Sequence, residues 1–123
     1  MKKMQWVLVI EDDAADSSDI ISLLEKMNVR CTCTAFDSFD PEKTELEGYG
    51  LCLFLLEKGG DAHLQSLRSL RQRLRLSGEP GPPLVFVVKE SQAAFEQSAR
   101  IAEIDIYLTD TIEERVLSSL LKL

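Results

Sequence analysis

Apolar and polar positions along this chain fall into blocks that switch between two periods. Trp6-Val7-Leu8-Val9-Ile10 is a continuous apolar run, as expected of a strand covered on both faces. Glu11, Asp12 and Asp13 follow at once. Ile20, Leu23, Leu24 and Met27 then recur at helical spacing, which predicts a helix over about 14–27 with an acidic first turn and Asn28 as its stop. Val29 to Phe36, rich in β-branched and small residues, predicts a second strand. Asp40 as cap and Pro41 at the first helical position predict a short helix over about 41–46, ended near Gly48.

The stretch LCLFLLEKGG (51–60) reads as a buried third strand running into a turn. Leu64, Leu67, Leu70 and Leu74 mark a helix over about 61–76, and SGEPGPP (77–83) stops it. Leu84 to Val88 predicts a fourth strand, the segment of about 91–102 a helix, and Ile104 to Leu108 a fifth strand. Thr111 and Glu114 have the spacing of a capping box, opening a last helix that buries Val116, Leu117, Leu120 and Leu121.

Strand and helix alternate five times. Short connections between alternating elements imply parallel strands with right-handed crossovers. The predicted fold is a doubly wound, flavodoxin-like (βα)5 α/β domain spanning 1–123, a five-stranded parallel sheet with helices on both faces. Ligand sites in such sheets lie at the carboxyl ends of the strands, where strand order reverses.

Composition narrows the function. The 123 residues are 45% apolar, ordinary for a globular domain, and the net charge of −7 disfavours binding to a phosphate backbone. The apolar runs are far shorter than the roughly 20 residues of a membrane-spanning helix, so a cytoplasmic protein without membrane contact is expected. Cys31, Cys33 and Cys52 are too few for a disulfide framework and read as buried, reduced thiols; with His63 they are a weak metal signal.

Glu11, Asp12 and Asp13 fall at the predicted site edge. They read equally as part of a divalent-metal site or as an acidic first helical turn.

VLVIEDD with its following helix, and DIYLTD on the fifth strand, resemble the response-regulator receiver domain, the CheY-like fold, over essentially the whole chain. By that resemblance Glu11 and Asp12 match the pair that helps hold Mg²⁺. The phospho-acceptor aspartate falls on Leu55, the hydroxyl residue after the fourth strand on Val88, and the phosphoryl-contacting lysine on Asp110. Tyr107 matches the aromatic switch residue of the fifth strand.

Phosphoryl transfer to a side chain needs a nucleophilic carboxylate, a cation and hydrogen-bond donors. Leu55 cannot attack, Val88 cannot donate, and Asp110 repels. The expectation is therefore a degenerate pseudo-receiver, not an enzyme, that acts as a phosphorylation-independent interaction module. Mg²⁺ would bind weakly at Glu11 and Asp12, and no other cofactor is expected.

The resemblance further implies another signalling protein or regulator domain as partner, or a homodimer, through the fourth helix, fifth strand and fifth helix. Phe95, Tyr107 and Val116 are the candidate contacts there, with Phe95 and Val116 reading otherwise as core residues. Arg68, Arg71 and Arg75, with Arg73 close by, form a basic stripe that would suit an acidic partner or a nucleic acid, or else a solvated face. Nucleic acid is not expected as a partner of this domain.

Two enzyme readings stand against this. A haloacid-dehalogenase-type phosphotransferase or phosphatase would use Asp-x-Asp after the first strand, where Glu11-x-Asp13 stands; flavin binding would need a glycine- and hydroxyl-rich loop instead of EDDAAD. Trp6, on the first strand with the acidic pair, is a candidate reporter for Mg²⁺.

Overall fold

The apolar runs form the strands of one parallel sheet: β1 (Trp6–Glu11), β2 (Arg30–Ala35), β3 (Tyr49–Leu56), β4 (Leu84–Val88) and β5 (Ile106–Thr109), side by side as β2-β1-β3-β4-β5. The computed structural model describes residues 6–12, 18–78, 81–109 and 112–122. Four α-helices accompany the sheet: α1 (Ser18–Lys26), α2 (Asp61–Ser77), α3 (Ala93–Ile101) and α4 (Glu114–Leu121).

Strand alternation splits the core in two. Leu8, Ile10, Phe54, Leu56, Phe86 and Val88 point to one face, under Leu64, Leu67, Leu70 and Leu74 of α2 and Phe95 and Ala99 of α3. Val7, Val9, Leu53, Leu55 and Val85 point to the other, under Ile20 and Leu24 of α1 and Leu117 and Leu120 of α4. The central strands bury both sets of side chains, which is why they read as unbroken apolar runs.

The predicted helix over 41–46 is absent. A 3₁₀ turn at Phe36–Ser38 is followed by a single closed turn, in which Glu42 N–H donates to Asp40 Oδ1 (2.9 Å) and Thr44 N–H to the Asp40 carbonyl (2.9 Å). Asp40 and Pro41 start a turn as predicted, but Lys43, Glu45 and Glu47 are exposed, and Leu46 is the buried apolar side chain that follows. One anchored turn cannot offset the cost of a helical nucleus.

Asn28 does end α1, in the left-handed region at φ 60°, with Val29 N–H donating to the Leu24 carbonyl (2.9 Å). The Thr111 capping box lies outside the described residues. Gly78, at φ 72°, ends α2 by donating to the Leu74 carbonyl (3.1 Å).

Much of the basic stripe on α2 is occupied within the molecule. Arg71 Nε donates to the Glu103 carbonyl (2.7 Å), and its guanidinium pairs with Asp105. The Asp105 carboxylate also accepts the Leu84 N–H (2.6 Å), and Arg75 pairs with Glu103. Arg73 donates to the Pro41 carbonyl (2.9 Å). These arginines fasten α2 to the α3–β5 connection and to the turn after β2, while Arg68 is exposed. No helix among the described residues is long and apolar enough to cross a membrane.

Candidate functional site

Register brings Glu11 level with Ala35 on one side and Leu55 on the other, at the carboxyl end of the sheet where strand order reverses. Asp12 N–H donates to the Leu55 carbonyl (3.0 Å). The acidic pair and Leu55 therefore meet, as the resemblance to receiver domains implies. Leu55 is 5% exposed and packs in the cluster with Val9, Val87 and Leu117. Its neighbour Leu56 turns to the opposite face beside Val88, which is fully buried. Asp110 and Asp13 lie outside the described residues.

Sequence reasoning undervalued His63, which the structure brings to this edge from the first turn of α2. Its Nδ1 accepts the Gly60 N–H (3.0 Å), taking the place a glutamate holds in a capping box. That bond leaves the proton on Nε2, which faces Asp12 Oδ2 at 3.6 Å. The imidazole also meets Phe36 edge-on, with ring centres 4.6 Å apart. The signal was present in the sequence as a hydrogen-bonding residue three positions after a helix-opening glycine.

Burial lowers the His63 pKa below its ordinary 6.5, against a smaller upward pull from the Asp12 carboxylate. His63 is thus neutral near pH 7, and at 3.6 Å its contact with Asp12 is electrostatic and longer than a hydrogen bond. The folded state binds this proton less readily than the unfolded chain, so the associated stability is complete above 6.5 and is lost as pH falls through the lower folded value. The urea midpoint is expected to fall between about pH 7.5 and 5.5, and His63→Gln to flatten that segment. An unchanged slope in the variant would assign the effect to other groups.

Tyr107 points inward, 9% exposed, and its hydroxyl shares a 2.7 Å hydrogen bond with Ser91 Oγ just after β4. Burial raises its pKa, partly countered by that bond. Phe95 stacks on Phe86 (5.7 Å, 13°) and lies 6.2 Å from Tyr107. Its ring fills the space beside Gly59, where any Cβ would collide with it. Lys58 and Glu90 pair across the rim (3.4 Å).

Several placements correct the sequence reading. Phe95 is 8% exposed and belongs to the core on the α2 and α3 face, with Tyr107. Val116 is half-buried against the opposite cluster. The sheet separates them, so the three side chains do not form one docking patch. Cys52 is buried, but Cys33 is exposed on edge strand β2, its thiol pushed up to about 11 by partial burial and by Cys31. Trp6 starts β1, at the opposite end of the strand from the acidic pair, and does not report on it.

Mg²⁺ demands a near-octahedral oxygen shell. Here β1 supplies two carboxylates and the end of β3 an aliphatic side chain. Among the described residues no group of three or more His, Cys, Asp or Glu is placed to hold a metal ion.

No protein-family model matches the sequence, and no curated protein matches it. Solved structures do match in fold. A pilus assembly-related protein from Burkholderia pseudomallei superimposes with a TM-score of 0.72 at 21% identity, over 97% of this chain and 87% of that one. A pilus assembly protein from Burkholderia thailandensis gives 0.69 at 21% identity, over 97% and 96%. A CheY-like response-regulator receiver domain protein from Methanospirillum hungatei gives 0.70 at 18% identity, over 98% and 92%. Likeness at these identities shows the fold.

Proposed function

We propose, from the premise that the chain has the CheY-like receiver fold, that it is a pseudo-receiver: a non-enzymatic module that engages a partner protein without being phosphorylated at the end of β3. The observation that carries this reading is Leu55, buried at 5% exposure between Glu11 and Val87, where phosphoryl chemistry would need a carboxylate. Val88 on the next strand offers no side-chain donor, and the Asp12 carboxylate faces the His63 imidazole. The acidic pair is left with too few oxygen ligands to hold Mg²⁺ other than weakly.

The phosphotransferase alternative draws no support from this edge. Leu55 and Val88 put apolar surface beside the acidic residues, where a phosphoryl group would need donors.

A signalling protein or regulator domain is the partner class that the fold suggests, and the likeness to two proteins named for pilus assembly extends it to assembly components. The outer face of α3 is the better docking surface than the buried aromatic pair, because it exposes Ile101 (74%) beside Gln97 and Arg100.

Incubation with acetyl phosphate, or beryllofluoride, and Mg²⁺ is expected to leave the intact mass and the spectra of the chain unchanged. A stoichiometric aspartyl phosphate would overturn the reading.

A further inference from the structure

At the amino end of the sheet, register sets Arg30 of β2, Trp6 of β1 and Tyr49 of β3 on one rung. Trp6 shares the face of Leu8 by alternation. The ladder slips between Trp6 and Val7, passing over Gly50, and the slip turns Tyr49 onto the same face, against the α2-side core. Between Trp6 and Tyr49 opens a pocket of about 320 Å³, completed by Glu45, Glu47 and Gly48. A groove of about 390 Å³ shares Glu45, Glu47, Gly48 and Tyr49 and continues past Leu74 to Pro82, with Arg73, which donates to the Pro41 carbonyl, in its wall.

The wall chemistry is selective. Trp6 is 37% exposed, and its indole already attracts one cation, the Arg30 guanidinium, 5.3 Å from the ring centre. Glu45 and Glu47 are exposed, and neither forms an ion pair among the described residues. An anion would meet two carboxylates. An inorganic divalent cation would find two carboxylates and two aromatic side chains, short of the six or more oxygens it takes. A purely apolar group would leave the carboxylates without a counter-charge. A soft organic cation gains from both kinds of wall, because ring faces carry negative electrostatic potential and carboxylates supply charge-assisted hydrogen bonds.

We propose that this pocket binds an organic cation, a guanidinium or alkylammonium head set between Trp6 and Tyr49 with Glu45 and Glu47 as its counter-charges. The proposal is independent of the Leu55 edge, which lies at the other end of the strands.

The chain contains a single tryptophan, so Trp6 reports the site directly. Titration of the full chain with Nα-acetyl-arginine amide is expected to change Trp6 emission and shift its indole N–H resonance saturably, with Kd on the order of 1 mM. The uncharged isostere Nα-acetyl-citrulline amide should change neither. The surface substitutions Glu45→Gln and Glu47→Gln together should weaken binding by roughly tenfold, because the charge-assisted contacts are lost while the rings remain. A tripeptide, acetyl-Gly-Arg-Gly-amide, separates the sources of the cation: binding at least about tenfold tighter than the free compound assigns the pocket to an arginine of a partner protein, and equal binding to a free small cation. Both outcomes support the proposal. Citrulline binding as well as arginine, a double variant that titrates like the parent, or no saturable change in either signal would overturn it.

Discussion

Leu55→Asp is expected to destabilise the fold by about 3 kcal/mol at pH 7 and still to leave the chain inert to acetyl phosphate. Leu55 sits at 5% exposure among Val9, Val87 and Leu117. The substitution removes its apolar packing and puts a charge there without a partner. Glu11, level with it on β1, adds like-charge repulsion. Both effects raise the pKa of the introduced carboxyl in the folded state. The variant therefore binds its proton more tightly folded than unfolded, and its deficit should shrink as pH falls towards about 5.

Leu55→Asn isolates the cost of polarity from that of charge, and its deficit should not vary over this range. The inertness expected under the proposed function has a separate origin: Val88 supplies no side-chain donor, and Glu11 and Asp12 alone fall short of the oxygen shell that Mg²⁺ takes. Urea unfolding at two pH values and intact-mass analysis read both parts. A stable Leu55→Asp variant that accepts a phosphoryl group would show that the site was one substitution from function.

Gly59→Ala is expected to cost about 2 kcal/mol despite its position in a half-buried turn. An added Cβ falls inside the contact distance of the Phe95 ring. That ring has little room to move, because Phe86 stacks on it and Tyr107 lies beside it. Phe95→Leu removes the obstacle at its own packing cost, so the double variant should be less destabilised than the sum of the two singles. Additive losses in a denaturation cycle would mean that the turn backbone, and not the ring, is strained.

The comparison of sequence with structure divides by the range of the interactions. β1, β3, β4 and β5 and the helices carrying Leu24, Leu67 and Leu117 were legible because burial sets their periodicity, whereas β2, with no buried residue, was legible from its β-branched and small residues and the helix carrying Ala99 from a polar, alanine-bearing run. The segment 41–46 was misread because Asp40 and Pro41 are strong local signals, whereas propagation depends on apolar partners that Lys43, Glu45 and Glu47 do not provide. Leu55 was placed at the candidate site by the resemblance of its strand to the acceptor strand of receiver domains, and the parallel register sets it beside Glu11. The approach of His63 to Asp12, some fifty positions apart in sequence, depends on where α2 begins relative to β1, which no local pattern records. Phe95 was left between two readings for a similar reason: its position on α3 fits either a surface or a core role, and the missing Cβ at Gly59 decides for the core.

The turn that replaces the predicted second helix also affects how the sheet comes apart. β2 pairs with β1 alone and has α1 over one face, while the turn bearing Phe36 and Phe39 packs on His63 of α2 and Phe54 of β3 and leaves Thr32 of β2 exposed on the other. β3 and β4 are enclosed on both faces and paired on both edges. Local opening free energy follows such differences in burial and pairing. β2 therefore detaches at lower cost than β3 or β4, and each opening presents to solvent the Cys31 thiol that the closed state half conceals.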